Sequence, residues 1–582
     1  PAFQNKRNDI ENLNAALYLK ITLPLGFSIQ TTYSPRFEWT NYLFHKAAAS
    51  PDSGSQNGRV ERTHTKDFYW QWDNMLKWNK TFGKHAFDFT FLANWEKFQR
   101  WHDEMTNENF LPTDELGYGG IGFGTSPNVS SDDVYRTGDA FMGRLHYVYD
   151  QRYLITATVR RDGYSAFGLA NPRATFPAIA LGWVFSEEKF LHRPDWFEYG
   201  KLRLSWGKNG NRAVGTYAAF MQLAPRKYIY VDPATGSLVT ANTFYASTMA
   251  NPNLKWESTT SWNIGTDLTF LKGRLSANLD VYKKITTDLL VSRELPSLIG
   301  YSSVMSNIGE VQNTGVELSL NSTNIRMDKL TWRTSFSLAY NKNKITHLYG
   351  IMEDVKDADG NVIGQREADD IKNKRFIGHD IDEIWDYKVV GIWQCLKREE
   401  AAKYGQQPGD VHLLDKDMNY KYDNTDKEFQ GTTMPRLRWS MRNDFTLFKN
   451  FNISFNMYSY IGHKKTLGRF TNDNALLNVT NQIKRDYWTP ENRNNEYPRL
   501  ANKKPAGVSY AIYKNASFLR FDNISIGYTF PKKLIEPLRI QNLNVNATMK
   551  NAGYISGWPG YDPENSDANT PRVIYFGINL TL

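Results

Sequence analysis

Residues 332–340 read WRTSFSLAY, and this stretch decides the fold because two kinds of side chain alternate along it without interruption. The even positions are Trp, Thr, Phe, Leu and Tyr, whereas the odd positions are Arg, Ser, Ser and Ala. Successive side chains of a β-strand point to opposite faces of a sheet. The alternation therefore predicts a strand with one apolar and one polar face.

The same alternation recurs along the chain, in RLSANLDVY at 274–282, NISFNMY at 452–458, LNVNATM at 543–549 and IYFGINLTL at 574–582. The apolar face of each segment is free of charge, whereas a charge that faces lipid near the bilayer midplane costs about 2–4 kcal/mol. Several segments also reach the ~9–11 residues that a membrane-spanning strand needs. The pattern predicts an all-β fold, an antiparallel transmembrane β-barrel. A soluble antiparallel sandwich, which also alternates, is the alternative.

Composition agrees with a barrel that is apolar outside and polar inside. Aromatic residues make up 14% of the 582 residues, yet 23% of residues are charged and the mean hydropathy is -0.57. No run of about 18 apolar residues occurs, which excludes a spanning helix. The net charge of +9 comes from dispersed Lys and Arg, so binding to nucleic acid is not expected. The single cysteine, Cys395, excludes an internal disulfide.

Connections between the predicted strands fall into two length classes. Short ones carry turn residues, as in Phe82-Gly83-Lys84. Long, irregular ones are predicted at about 102–140, 208–260, 345–436 and 462–516. Short turns on one side of the membrane and long loops on the other are typical of outer-membrane barrels. Residues 1–582 are therefore predicted to form one barrel with long extracellular loops and no internal domain boundary; the resemblance described next implies that this barrel is partial.

Several motifs, taken together and in order, resemble the SusC/RagA family of TonB-dependent transporters. They are Arg161-Asp162-Gly163, Phe176-Pro177-Ala178, Leu202 to Gly207 with Asn209-Gly210-Asn211, Asn251 to Glu257, Asp288-Leu289-Leu290, Asn307 to Glu310, Asn313 to Leu318, Phe518-Leu519-Arg520 and Gly577 to Leu580.

The resemblance implies most of a 22-stranded barrel in the outer membrane of a bacterium, with the N-terminal plug and TonB-contacting region outside this chain. It further implies active import of oligosaccharides or oligopeptides, with a SusD-like surface lipoprotein as a lid and energy from the TonB–ExbB–ExbD system. Sugar versus peptide stays open. The alternative functions are a passive pore or other non-transport barrel, and a soluble carbohydrate-binding β-protein.

Aromatic residues in or beside the long loops are candidates for substrate binding, because such rings stack on sugars or line side-chain pockets. Packing within the loops is the alternative for each of them. The candidates are Trp385, Trp393, Tyr420, Trp488, Tyr510 and Trp558.

A calcium site is a further candidate in the third long loop. Asp415, Asp417 and Asn419 have the spacing of the first three ligands of a calcium-binding loop. Tyr420 stands where such loops carry glycine, and the twelfth position is Asp426 in place of glutamate. A solvated acidic turn is the alternative, and no other cofactor is expected.

Enzymatic chemistry is not expected from this sequence. Residues 117–122 match the G-x-G-x-x-G string of dinucleotide-binding folds, but Pro112 precedes it and Pro127 follows it. The dinucleotide motif requires a strand before the glycines and a helix after them. The string is therefore predicted to lie in a loop, and no nucleophile or metal-protease motif accompanies it.

Overall fold

The computed structural model describes residues 4–50, 57–110, 116–301, 303–357, 359–467, 486–500, 502–565 and 568–582. The strands are β1 Gln4–Asn14, β2 Leu17–Thr22, β3 Phe27–Lys46, β4 Arg59–Phe82, β5 His85–Glu108, β6 Asn128–Tyr149, β7 Tyr153–Tyr164, β8 Arg173–Trp183, β9 Phe197–Asn211, β10 Gln222–Val231, β11 Leu238–Thr248, β12 Glu257–Phe270, β13 Leu275–Thr287, β14 Leu290–Glu294, β15 Ser303–Asn307, β16 Glu310–Arg326, β17 Leu330–His347, β18 Met352–Lys356, β19 Val362–Glu367, β20 Glu383–Tyr387, β21 Val389–Ile392, β22 Val411–Leu413, β23 Lys427–Thr432, β24 Leu437–Leu447, β25 Phe451–Ile461, β26 Lys464–Thr466, β27 Tyr513–Asn515, β28 Phe518–Thr529, β29 Asn542–Ser556 and β30 Val573–Thr581.

Helices are few and short in the described part of the chain. The α-helices are α1 Arg398–Lys403 and α2 Lys532–Ile535, and 3-10 turns occupy Pro24–Gly26, Gly117–Phe123, Phe185–Glu187, Ser297–Ile299, Cys395–Lys397, Asn424–Asp426 and Glu536–Leu538. No helix among these residues is long and apolar enough to cross a membrane. Eighteen of the described strands belong to one large sheet, and the remaining strands form two-stranded ribbons.

The chain divides into two compact units, and the first comprises the described residues of 1–183, 204–262 and 285–310. Here β1 and β2 pair one after the other with β3, and β3 to β8 then pair in chain order, each antiparallel to the next. β4 and β5 are 24 residues long, or about 80 Å at 3.3 Å per residue. Even when tilted, they extend well beyond the ~30 Å hydrocarbon core of a bilayer.

The second unit comprises 184–203, 263–284 and the described residues of 311–582. In it, β17, β24, β25, β28, β29 and β30 pair in that order, all antiparallel. The register confirms the predicted faces, because Phe336 lies opposite Met441 and Met441 lies opposite Met457. Val545 likewise lies opposite Ile578 of the last strand.

The apolar face remains exposed in this structure, as expected of a surface that lipid covers. Phe576 and Ile578 are 81% and 72% exposed, and Ile155 is 42% exposed. Polar atoms on this face are paired: the Trp332 indole and the Thr334 hydroxyl both donate to Asn443 Oδ1, at 3.0 and 2.7 Å. Pairing of this kind is required because lipid offers no hydrogen-bond partner.

The long connections are shorter or more ordered than the sequence predicts. In place of a loop at 102–140, β5 continues to Glu108 and β6 begins at Asn128. The hydrogen-bonded ladder continues there through polar sequence, which hydrophobic alternation alone does not reveal. The connection at 208–260 contains the β10–β11 hairpin, and 345–436 contains β18 to β23 and α1. Of 462–516, residues 468–485 and 501 lie outside the described residues, and β26 and β27 flank them.

We predict that a charge on the apolar face of β25 impairs membrane insertion. Phe455→Arg places a cation toward lipid and is expected to destabilise the barrel by about 2–4 kcal/mol. Ser454→Arg is the control, because residue 454 is on the polar face opposite Asp444. Folding into lipid vesicles, followed by heat-modifiable gel mobility over a urea series, measures the difference. Equal midpoints for the two variants would show that the faces are assigned wrongly.

Candidate functional site: the polar wall and the loop core

A cavity of about 720 Å³ opens on the polar face of the first unit. The β4–β5 register creates one side of it by placing Gln71 opposite Glu96 and Asp73 opposite Asn94. β7 supplies Arg160 and Asp162, β9 supplies Lys208, and Arg212 directly follows β9. The polar side chains therefore converge because every second residue of each strand faces this side of the sheet.

Most charged groups around the cavity are paired with one another. Arg212 forms an ion pair with Glu96, and the Tyr69 hydroxyl also donates to Glu96, at 3.4 Å. Arg160 Nη2 lies 2.8 Å from Asp162 Oδ1. These pairs hold their side chains in defined positions on the wall, since charge-assisted hydrogen bonds are shorter and stronger than neutral ones.

Two charged groups at the cavity have no partner of opposite charge among the described residues. Asp73 accepts hydrogen bonds from the neutral amides of Asn94 and Gln71, at 2.7 and 2.9 Å. Lys208 has no hydrogen-bond or ion-pair partner in the part of the chain that the structure describes. The cavity can therefore offer one anionic and one cationic group to a polar ligand.

Glycines keep this wall open where a side chain would fill it. A Cβ at residue 138 would lie 2.7 Å from Glu96 Oε1, and one at residue 210 would lie 2.1 Å from the Phe176 ring. Gly138 and Gly210 thus leave room for the carboxylate and the ring. Sequence reasoning did not single out Lys208 or Arg212 as site residues. The sequence feature that could have pointed to these two residues is the Asn209-Gly210-Asn211 motif, which lies between them.

The motif at 251–257 forms a small core beside this wall. Leu254 is fully buried and Trp256 is 6% exposed. The Trp256 ring stacks on Phe167, with ring centroids 4.8 Å apart. The backbone of Gly168 donates to Leu254 O at 2.9 Å, and a Cβ at residue 168 would lie 2.0 Å from Pro252 O. The motif therefore packs the β7–β8 connection against the one that precedes β12.

Asn307 joins two further motifs to the same core. Its side chain accepts from the Lys255 backbone N–H and donates to Lys255 O, both at 2.7 Å, and it also donates to Asp288 O at 3.0 Å. Lys255 Nζ in turn lies 3.0 Å from Asp288 Oδ1. The family motifs that contain these three residues are hydrogen-bonded to one another.

The second unit has a core of its own, called here the loop core, which is built mainly from the predicted loops. It consists of Tyr387, Ile392, Val411, Leu413, Leu467, Trp488, Tyr510, Ile512, Ala516 and Trp558. These residues come from 387–413, 467–516 and the β29–β30 connection. The loops therefore fold together instead of extending separately into solvent.

Five of the six aromatic substrate candidates are buried in this structure, so they do not present a ring face to a ligand. Trp385, Trp393, Trp488, Tyr510 and Trp558 are 8%, 0%, 5%, 6% and 7% exposed. This burial favours packing within the loops, the alternative, over stacking on a substrate.

Their polar atoms show how the packing is achieved. The Trp393 indole donates to Gln406 Oε1 at 3.0 Å, and the Trp488 indole donates to Gln394 Oε1 at 3.1 Å. Burial lowers the pKa of His412, which stacks on Trp393, to about 4. The imidazole is therefore neutral at physiological pH and fits this core.

Tyr420 is the exception among the aromatic candidates. It is 45% exposed, and Lys403 Nζ lies 4.4 Å from the centre of its ring. Its role in substrate binding stays a prediction.

The acidic loop brings together Asp415, Asp417 and Asp426, whose nearest oxygens all lie within 4.8 Å of one another. The twelfth residue of the predicted calcium loop thus joins the first and third. Asn419, the predicted third ligand, instead donates its amide to Asp417 at 2.8 Å and accepts from the Lys421 backbone at 2.7 Å.

The pKa values of half-buried Asp415 and exposed Asp417 are shifted in opposite directions. Burial raises the pKa of Asp415, but hydrogen bonds from the Tyr404 hydroxyl and nearby backbone N–H groups outweigh it and leave the pKa below the ordinary value. Partial burial and the neighbouring Asp415 and Asp426 carboxylates raise the pKa of Asp417. A divalent cation would relieve this repulsion, so calcium binding remains a prediction.

Exposed apolar strand faces, a polar wall with a cavity and short turns opposite folded loops together define the class of outer-membrane β-barrels. Residues 1–552 match the family model described as TonB dependent receptor-like, beta-barrel, and the chain belongs to this family. It is of the SusC/RagA type and resides in the bacterial outer membrane. Its relatives are receptors by name, not enzymes.

Two curated relatives illustrate the similarity. TonB-dependent receptor SusC of Bacteroides thetaiotaomicron is 32% identical over 467 residues, which cover 76% of this chain and 43% of SusC. TonB-dependent receptor P3 of Formosa agariphila is 28% identical over 562 residues, covering 95% of this chain and 53% of P3. The chain thus spans about half the length of these relatives.

The solved structure of the RagAB peptide transporter contains a chain with the same fold. It superimposes with a TM-score of 0.81 at 20% identity, covering all of this chain and 62% of the other.

We predict that Trp393→Ala loosens the loop core. Removing a fully buried Trp typically costs about 3–5 kcal/mol. Limited proteolysis of the full protein in detergent is expected to cleave within 387–413 at least tenfold faster than in the wild type. Tyr420→Ala, at an exposed ring, is the matched control and is expected to change the rate less than twofold. Equal rates in the two variants would contradict the assignment of Trp393 to the core.

For the acidic loop, we predict that calcium binds and that Asp415→Asn combined with Asp417→Asn abolishes binding. Titration calorimetry of the full protein with CaCl₂ measures this, and Asp359→Asn in another loop is the control. Because the pKa of Asp417 is raised, protonation competes with calcium at a higher pH than at an ordinary aspartate. The affinity should therefore fall as the pH is lowered toward 5. Absence of heat at millimolar calcium would refute the site.

Proposed function

We propose that this chain forms the barrel wall of a TonB-dependent importer for oligosaccharides or oligopeptides. A SusD-like surface lipoprotein would close over the extracellular loops. The TonB–ExbB–ExbD system would supply energy through a plug segment of the full protein. The outer membrane holds neither ATP nor an ion gradient, so accumulation against a concentration gradient requires energy from the inner membrane.

The cavity on the polar face is the observation that carries this proposal. Its walls are pre-organised by the Arg212–Glu96 and Arg160–Asp162 ion pairs, while Asp73 and Lys208 remain available for a ligand. Ligand sites are usually concave and largely pre-formed, with a few polar groups that fix orientation.

The folded loops also favour an importer with a lid. The loop core gives the second unit a defined extracellular structure through residues such as Leu413 and Ile512, which are 0% and 7% exposed. A rigid surface costs less entropy when a partner docks than a flexible loop does. The name of the relative SusC, a TonB-dependent receptor, supports the dependence on TonB.

The test asks whether the protein has a lipoprotein partner and whether its contribution to growth depends on TonB. The native protein, purified from outer membranes in mild detergent, is expected to co-elute with a surface lipoprotein that mass spectrometry identifies. Growth of wild-type and deletion strains is then compared on a mixed oligosaccharide fraction or a mixed peptide digest as sole nutrient. Deletion should slow growth on one of the two, and loss of TonB should have the same effect.

The growth measurements distinguish active import from a passive pore and from the absence of import. Growth that depends on the protein but not on TonB would establish a passive pore. Growth that is unaffected by the deletion on both nutrients would contradict import of either class. As a matched pair, Lys208→Gln should slow growth on the preferred nutrient at least threefold, whereas Lys80→Gln, on the opposite face of β4, should leave it unchanged.

A further inference from the structure

The apolar face of the first unit ends, toward the long loops, at a row of charged residues. On β5 the outward residues Phe87, Phe89, Phe91, Ala93 and Trp95 are apolar, and the next outward residue is Lys97. On β7 the outward apolar residues end at Val159, and Arg161 follows. On β8 they end at Pro177, beyond which come Thr175 and Arg173.

The strand register places these residues on one surface. Trp95 lies opposite Asp139 of β6, Asp139 opposite Gly163, and Gly163 opposite Arg173. On β6, the next outward residue from Asp139 toward the short turns is Phe141, which lies opposite Arg161. The boundary of the apolar face therefore shifts along the register from β5 to β8, as expected when tilted strands cross a flat membrane.

This boundary is the extracellular one. The opposite ends of the same strands are joined by tight turns, at 83–84 between β4 and β5 and at 150–152 between β6 and β7. In outer-membrane barrels the short turns are periplasmic and the long connections extracellular. Lys97, Arg161 and Arg173 thus lie at the level of the outer-leaflet head groups.

Positive charge is in excess along this row. Arg173 forms a two-bond ion pair with Asp139, at 2.5 and 2.9 Å. Arg161 is exposed and has no carboxylate partner among the described residues. Lys97 Nζ lies 4.9 Å from the centre of the Tyr135 ring and likewise forms no ion pair in the described structure.

The nearest other carboxylates on this face are more distant. On β5 and β6 they are Asp103 and Asp133, each three outward positions farther from the membrane than Lys97 and Asp139. Two positive charges are therefore left without a counter-ion directly above an apolar surface. Such a charge needs either bulk water or an anion at the membrane surface.

We propose that Lys97, Arg161 and Arg173, called here the cationic rim, bind the phosphate-bearing head group of a lipid in the outer leaflet. The acyl chains of this lipid lie against the apolar outward residues of β5 to β8. The rim contacts the phosphate oxygens, with Arg offering two parallel N–H donors to a phosphate. Basic residues at a membrane surface attract anionic lipids in this manner.

The dimensions suit a large glycolipid head group. Neighbouring strands are about 4.8 Å apart and residues rise about 3.4 Å, so the Cα atoms of Arg161 and Arg173 are roughly 8 Å apart. By the same geometry, Lys97 lies roughly 16 Å from each of them. Long side chains shorten these gaps, so the rim fits a head group with two separated phosphates better than a single small anion.

The test uses the full protein in detergent micelles and native mass spectrometry with lipid A that carries two phosphates. The rim variant is Lys97→Gln with Arg161→Gln, which leaves the Arg173–Asp139 pair intact. The control variant is Lys80→Gln with Lys84→Gln, which removes the same charge at the short-turn end of the same region. The lipid-bound fraction is expected to fall at least fivefold in the rim variant and less than twofold in the control.

A second measurement keeps the proposal testable if the rim variant folds poorly. The wild-type protein should bind phosphorylated lipid A at least fivefold better than the same lipid after enzymatic removal of its phosphates. Equal binding of the two lipids would overturn the proposal, as would equal losses in the rim and control variants. Displacement of the lipid by 10 mM inorganic phosphate would also overturn it, because it would identify a site for free anions.

Discussion

The absence of water from the bilayer interior is the constraint on which the rest of this structure depends. Every backbone N–H and C=O that faces lipid must be paired within the protein. Antiparallel strands meet this requirement through neighbouring strands, and their strict two-residue period then divides each strand into a lipid face and a polar face. Even the few polar side chains on the apolar face obey the constraint, since Asn443 accepts from both Trp332 and Thr334.

The polar face carries the features that relate to function. Because its side chains are shielded from lipid, charged residues from distant parts of the chain can form ion pairs there, such as Arg212 with Glu96. The same alternation that forces apolar residues outward thus supplies a wall that can contact a polar solute. The apolar face has a functional edge as well, where the hydrophobic band ends at Lys97 and Arg161.

Beyond the membrane level the constraint is lifted, and stability comes from ordinary cores. Trp256 stacks on Phe167 in the first unit, and Trp393 and Leu413 are fully buried in the second. Motifs typical of the family, such as the one at 251–257, serve these cores and their hydrogen bonds. These motifs are therefore explained by a structural requirement of the loops, separate from any contact with a substrate.

The fold class and the orientation of individual strands follow from the amino-acid sequence alone, because a two-residue period is a local property. Phe336, Val545 and Ile578 were assigned to the apolar face correctly for this reason. The extent of β5 and β6 was underestimated, since their outer halves carry polar residues on both faces and are held by backbone pairing. Which aromatic loop residues are buried depends on contacts between segments that are distant in the sequence. Trp488, for example, donates to Gln394, 94 positions away, and no local pattern encodes such a contact.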